Sequence, residues 1–310
     1  MNFTHQQLSA ALNDGLLSFP VTDFDTQGDF DQSNYQARLE WLKQYDVSAL
    51  FVAGGTGEFF SLTNDELSAV TKTAAQVCGG EVPILSSAGK SVREAIEHAR
   101  IGEENGVDGL LLMPPYLTEC PEDGLIEYVA AVCDSTSLGI VLYNRANGQL
   151  NAQAVKALAQ RCPNLIGFKD GVGNMQALNS IIKTVGDRLV YIGGVPTAEI
   201  IAEAYLSIGV NTYSSAVFNF VPEAALAFYR ALRAGDKAAV DTMVRDFYVP
   251  LVALRDRKKG YAVSLIKAGA ALIDKPAGAA RAPLVMPTEE HTQQLKELID
   301  IFNQRAGIRT

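Results

Sequence analysis

The apolar positions of this chain fall into short runs separated by stretches of helical spacing. Near-continuous apolar runs occupy Gly15–Val21, Ala49–Ala53, Val82–Ser86, Asp108–Met113, Leu138–Tyr143, Leu165–Lys169, Leu189–Gly193 and Val210–Tyr213. Runs this short, without polar alternation, predict strands covered on both faces. Between them apolar residues recur at helical spacing: Val92, Ala95, Ile96, Ala99 and Ile101 predict a helix over 91–105. Thr63-x-x-Glu66 and Ser91-x-x-Glu94 read as capping boxes, in which side chains satisfy the free amides of a first turn. Pro121, Pro196 and Pro222 suit first helical turns, where a missing N–H costs little.

Eight strands alternating with eight helices over about 220 residues predict a closed (β/α)8 TIM barrel. A doubly wound open sheet would carry a glycine-rich phosphate turn after its first strand. Here PVTDFDTQGDF follows, with no GxGxxG. The expected organisation is a catalytic barrel over 1–234 and a helical extension packed on it over 235–310. In the extension Val240, Met243, Val244, Phe247 and Leu251 make one stripe, which Pro250 is expected to kink. Further helices are expected over 261–273 and from Thr288 onward. No chemistry is legible there, and packing or an oligomer contact is the expected role.

The 310 residues are 48% hydrophobic and 20% charged, enough to bury a core without disulfides or metals. The net charge of −9 favours neither nucleic acid nor an anionic membrane surface. No basic-then-apolar leader opens the chain, and no run reaches the ~18 apolar residues of a membrane span. The expectation is a soluble cytoplasmic protein. Cys78, Cys120, Cys133 and Cys162 form no CxxC pair and read as idle thiols. Gly89-Lys90-Ser91 lacks the earlier glycine of a P-loop, since Ile84 stands there. His5, His98 and His291 are scattered without a metal-ligand pattern, and GxSxG is absent. No metal and no cofactor are expected.

In a barrel of this kind chemistry sits at the carboxyl ends of the strands. The second strand ends in Gly54-Gly55-Thr56-Gly57-Glu58, where small residues let backbone amides form a nest for a carboxylate. A tight turn alone would account for one or two of these glycines. The sixth strand ends in Lys169. A desolvated lysine loses part of its preference for the charged form, and a neutral amine can condense with a ketone to give a Schiff base. Tyr143, one strand away, can carry protons. The alternatives are a snorkelling lysine and a space-filling tyrosine; the combination of lysine, tyrosine and nest on one rim favours chemistry. Arg145 is a candidate cation for a distal carboxylate, or else a loop or interface residue, with Lys90 behind it. Asn144, Asn147, Gly193, Ser214 and Ser215 are further substrate-binding candidates. Asp170 reads as a turn residue.

These residues resemble the dihydrodipicolinate synthase and N-acetylneuraminate lyase family of Schiff-base (β/α)8 enzymes. The resemblance runs from about Leu16 through the C-terminal helices and rests on three motifs in order: GGTGE at Gly54–Glu58, Tyr143-Asn144, and GFKDG at Gly167–Gly171. It implies a covalent imine on Lys169, proton transfer by Tyr143, and a carboxylate cradle around Gly55, Thr56 and Gly57. It also implies a homo-oligomer, a tetramer or dimer of dimers, with Tyr116 reaching a neighbouring subunit's site. Two departures are visible. Synthases of the family usually read GTTGE, and here the first threonine is Gly55. They usually read YNxPxR, and here the segment is YNRANGQL. GGTGEFFSL, YNRAN, GFKDGVG and YSSAVFNFVPE resemble instead a dehydrating and decarboxylating branch that acts on a 2-oxo sugar diacid. The alternatives are another 2-oxo acid aldolase or synthase-like lyase, and a non-catalytic 2-oxo acid sensor. All three imply a small-molecule partner, with no nucleic acid and no membrane.

Overall fold

The computed structural model describes residues 2–117 and 119–308. Eight parallel strands close a barrel in sequence order: β1 Leu16–Ser18, β2 Val47–Phe51, β3 Ile84–Lys90, β4 Gly109–Pro115, β5 Gly139–Asn144, β6 Leu165–Asp170, β7 Val190–Gly193 and β8 Thr212–Ser215. Each lies on an apolar run, because a barrel strand must be covered inside by other strands and outside by helices. Leu17, Phe51, Leu85, Leu111, Val141, Ile166 and Ile192 fill the interior, while a second apolar layer joins sheet and helices. The fold is the (β/α)8 barrel that the pattern predicts. The expected chain ends at residues 1 and 310 lie outside the described residues.

Both capping boxes form: Thr63 caps the helix Asn64–Cys78 and Ser91 caps Val92–Glu104. Pro222 occupies a first helical turn and Pro121 stands one residue earlier, as an N-cap. Pro196 does not open a helix; it precedes Thr197, which begins the 3-10 turn Ala198–Ile201.

An additional helix, His5–Asn13, closes the floor of the barrel. Thr4 and Gln7 make a reciprocal capping box, and Leu8 and Leu12 insert into the interior cluster. One hydrophobic cluster also runs from the barrel into the C-terminal helices, with Phe247 stacked on Phe302 at 3.9 Å and Phe228 against Tyr248. The helical run Lys237–Arg255 widens to a π-turn at Val244–Tyr248 just before Pro250. A π-turn relieves the clash between a proline ring and the preceding turn, so the expected kink takes this form. No helix of the described residues is long and apolar enough to cross a membrane.

Because Leu12 is wholly buried in the barrel floor, Leu12→Ala is expected to lower stability by about 2–5 kcal/mol. Chemical denaturation measures this, and an unchanged midpoint would show that the helix does not plug the barrel.

Candidate active site

Lys169 reaches the barrel mouth through an irregularity. Ile140 pairs with Leu165 but Val141 pairs with Gly167, so the register of β5 against β6 shifts by one residue. Val141 and Tyr143 face inward, and their partners Gly167 and Lys169 do the same. The neighbouring Phe168 and Asp170 point to the outer layer. Asp170 accepts the amides of Val172 and Gly173 and the hydroxyl of Tyr205, and so serves the turn.

Lys169 is only 3% exposed. Its Nζ donates to the carbonyl of Gly194 at 3.2 Å and lies 4.0 Å from the centre of the Tyr143 ring and 5.0 Å from that of Phe19. Among the described residues no carboxylate lies within ion-pair distance. Burial holds the amine below the ordinary lysine range, with the Tyr143 hydroxyl pulling the other way. Tyr143 donates to the same Gly194 carbonyl at 2.9 Å and accepts from Arg145 at 2.9 Å. Burial alone would raise its phenol, but the charges of Lys169 and Arg145 outweigh that and hold it below the usual tyrosine value. An amine and a phenol that share one carbonyl acceptor, with an arginine on the phenol, form a proton-transfer pair.

These groups open on a cavity of about 870 Å³. Gly55 and Thr56 are in its wall, and the amides of Gly55, Thr56 and Gly57 donate to no backbone carbonyl of the described residues. Gly54 needs to be glycine, since a Cβ there would lie 2.3 Å from the Phe19 ring. Around Gly55 there is open space. The departure from the synthase pattern therefore leaves room beside the nest.

Arg145, Asn147, Ser214, Tyr116 and Lys90 also line the cavity. Asn147 has its amide committed to the carbonyls of Pro115 and Leu117. Tyr116 is 91% exposed at the outer edge. Four candidates are not in the wall. Gly57 lies behind the nest, its carbonyl accepting from Thr22. Asn144 accepts the amide of Leu150. Gly193 packs against Tyr205, and its neighbour Gly194 takes the position at the cavity. Ser215 turns to Glu199, to which it donates at 2.7 Å.

Sequence reasoning missed two groups. The first is Glu199, in the wall on the loop after β7. The second is the C-terminal segment, for which packing or an oligomer contact was the expected role. Leu251, Arg255, Tyr261 and Ile266 line the cavity, and Lys267 forms a wholly buried pair with Glu58 at 2.8 Å. Glu58 adopts a left-handed backbone and also accepts the amide of Arg281. The signal was present as lone charges, Lys267 in an apolar helix and Glu58 closing a glycine run.

The glycines give a test. Gly55→Ala is expected to leave stability within about 0.5 kcal/mol of the parent. Gly54→Ala must displace Phe19 from its stack on Phe51 and is expected to cost roughly 1–3 kcal/mol. Thermal unfolding of the two variants decides it, and equal midpoints would contradict the geometry.

Comparison with known proteins agrees with this architecture. The sequence profile of the Dihydrodipicolinate synthetase family matches residues 12–302. A protein of Acinetobacter baumannii (strain AB0057), named probable 5-dehydro-4-deoxyglucarate dehydratase, is 52% identical across 94% of this chain and 97% of its own. A Pseudomonas putida (strain W619) protein of the same name is 52% identical across 95% and 97%. Among solved structures, the dihydrodipicolinate synthase of Oceanobacillus iheyensis superposes with a TM-score of 0.87 at 23% identity, over 96% of this chain and 99% of that one. The Escherichia coli K12 protein YagE, solved in complex with pyruvate, gives a TM-score of 0.84 at 28% identity, over 94% and 99%. A profile that spans nearly the whole chain, and relatives alike over more than nine-tenths of it, settle the lineage: the chain belongs to the dihydrodipicolinate synthetase family.

Proposed function

We propose that the protein is a Schiff-base-forming, decarboxylating dehydratase that converts 5-dehydro-4-deoxyglucarate to 2,5-dioxopentanoate, carbon dioxide and water. The observation that carries the reading is the Lys169 amine, buried without a carboxylate partner and sharing the Gly194 carbonyl with Tyr143. The names of the relatives at 52% identity support the substrate.

Lys169 attacks the C5 ketone while the open amides of the Gly55–Thr56 loop hold the adjacent C6 carboxylate. Tyr143 passes protons between the amine, the carbonyl oxygen and water. The iminium acidifies C4, and loss of a proton there gives an enamine that expels the C3 hydroxyl. Cleavage of the C1–C2 bond then sends its electron pair along C2, C3 and C4 into the same iminium. Reprotonation and hydrolysis release the product. One imine serves both steps, so the reaction as written needs no cofactor or metal. Arg145 and Ser214 line the same cavity and are assigned to the distal end in this reading. In the same reading the enzyme works in the cytoplasm as a homo-oligomer, with the exposed Tyr116 directed at a neighbouring copy.

Borohydride added with substrate is expected to fix an adduct on Lys169, found by peptide mass analysis, and Lys169→Ala is expected to give none. The trapping rate should climb as pH rises, because only the neutral amine attacks, and its midpoint should lie below the ordinary lysine range. A midpoint at or above that range would contradict the burial argument. Tyr143→Phe is expected to slow turnover by about 10²–10⁴-fold. Carbon dioxide release identifies the reaction. Retention of all six carbons, or release of pyruvate, would assign the protein to an aldolase of the family instead.

A further inference from the structure

The reaction proposed above expels a hydroxyl, and hydroxide is a poor leaving group unless an acid protonates it. In that reaction Lys169 is taken up by the imine and Tyr143 by the proton transfers around it. The cavity wall holds one further acid with no structural duty of its own. Glu94 also lines the cavity, but its carboxylate completes the capping box with Ser91. Asp170 is turned outward.

Glu199 lies on the loop after β7, five residues beyond the Gly194 carbonyl that holds both Lys169 and Tyr143. The backbone is bent sharply just before it. Thr197 has φ 57° and ψ 56°, a left-handed conformation unusual for a branched residue. Arg255, from the helix Val249–Arg255, clamps this bend, donating to the Pro196 carbonyl at 3.0 Å and to Thr197 Oγ1 at 2.9 Å. Strain that is held in place by a dedicated contact is a mark of functional sites. The bend sets Glu199 into the cavity wall at 2% exposure.

The carboxyl itself is poorly supplied for carrying charge. Its one side-chain hydrogen bond comes from Ser215 Oγ, at 2.7 Å. Among the described residues no lysine or arginine stands within ion-pair distance of it. Arg255 acts on it from further off and is itself paired with Asp256 at 2.9 Å. From β8 and the π-turn it faces Tyr213 and Tyr248, whose buried hydroxyls have no hydrogen-bond partner among the described residues. A buried carboxyl with one side-chain donor, its own backbone amide and no counter-ion favours the protonated form. Burial raises it to about 7, against smaller downward pulls from Ser215, its own backbone amide and Arg255.

We propose that Glu199 is the general acid that protonates the departing C3 hydroxyl. As the C4=C5 electron pair of the enamine shifts to form the C3=C4 bond, the C3–O bond breaks. The Glu199 proton passes to the leaving oxygen, which departs as water. The carboxylate left behind keeps the Ser215 hydrogen bond and regains a proton from solvent. That matches the single proton the overall reaction takes up when carbon dioxide replaces a carboxylate. Arg255 and Ser215 act through Glu199 as positioning residues.

The inference rests on the proposed reaction, and the test separates the two. The parent protein, Glu199→Gln and Ser215→Ala are compared for borohydride trapping of pyruvate and for carbon dioxide release from 5-dehydro-4-deoxyglucarate. Glu199→Gln is expected to trap pyruvate on Lys169 as the parent does, because imine formation does not use this acid. It should release carbon dioxide at least about 100-fold more slowly, with KM changed far less than kcat. The parent's kcat should fall as pH rises through the titration of Glu199. Ser215→Ala removes a donor that favours the charged form and should move that fall to higher pH, a shift that a merely structural role would not cause. A Glu199→Gln protein that matches the parent in carbon dioxide release, or a Ser215→Ala profile that does not move, overturns the assignment of Glu199 alone. A parent that traps the adduct yet releases no carbon dioxide overturns the reaction, and this proposal with it.

Discussion

A lysine amine withdrawn from water sets the terms for the rest of the site. Burial makes the ammonium form costly, and the barrel does nothing to repay that cost with a carboxylate. Lys169 instead meets a carbonyl, two aromatic faces and a phenol. A paired acid would have fixed the amine as a cation and ended its use as a nucleophile. Yet an acid is its sequence neighbour. The pleat resolves this, because adjacent residues of a strand point to opposite faces. Asp170 is spent on the outer turn, where two amides and the Tyr205 hydroxyl satisfy it. The single-residue register shift at the start of β6 decides which of the two enters the barrel.

The proposed reaction also needs a carboxylate held beside the amine, and that places a second demand on the loop after β2. Its amides at Gly55, Thr56 and Gly57 donate to no backbone carbonyl of the described residues and have no strand or helix to fix them. The loop is held from behind. Thr22 takes the Gly57 carbonyl, and Glu58 is gripped by Lys267 and the Arg281 amide. Arg281 in turn reaches Glu66 and the Gly28 carbonyl. The Glu58–Lys267 pair lies out of water on both sides, so loss of either partner would strand a buried charge. The segment after the barrel therefore holds the loop after β2 in place.

The architecture was legible in the sequence because barrel strands must be apolar on both faces, and that requirement writes eight short runs. The placement of Lys169 and Tyr143 was legible for a related reason. A lysine and a tyrosine at the ends of such runs have nowhere to go but the barrel mouth. What escaped notice is of another kind. The floor helix His5–Asn13 shows only Leu8 and Leu12 as its buried stripe, too few to stand out, and its Thr4–Gln7 box lies before the first strand. Glu199 and Arg255 are 56 residues apart in sequence and owe their significance to tertiary placement. Asn144, Gly57, Gly193 and Ser215 lie on or beside the right strand ends, but the direction of each side chain or turn takes it out of the wall. A strand end gives position along the barrel axis, and a residue of register decides whether it faces substrate.

Charge at the far end of the cavity follows from the same economy of donors. The diacid of the proposed reaction, approaching a protein of net charge −9, meets repulsion at long range, screened beyond about 8–10 Å in ordinary salt. Affinity must then come from cations within contact distance. Besides Lys169, the described wall has three: Lys90, Arg145 and Arg255. Arg145 is engaged with the Tyr143 hydroxyl, and Arg255 with Pro196, Thr197 and Asp256. Both hold catalytic parts in place and lend their charge to the field. Lys90 differs. It ends β3 with φ 73°, its Nζ stands 5.7 Å from the centre of the Phe59 ring, and no carboxylate of the described residues lies within ion-pair distance. A left-handed lysine at the mouth of a cavity, on the strand next to the nest, is strain without an internal reward. It makes sense where the counter-charge arrives with the substrate.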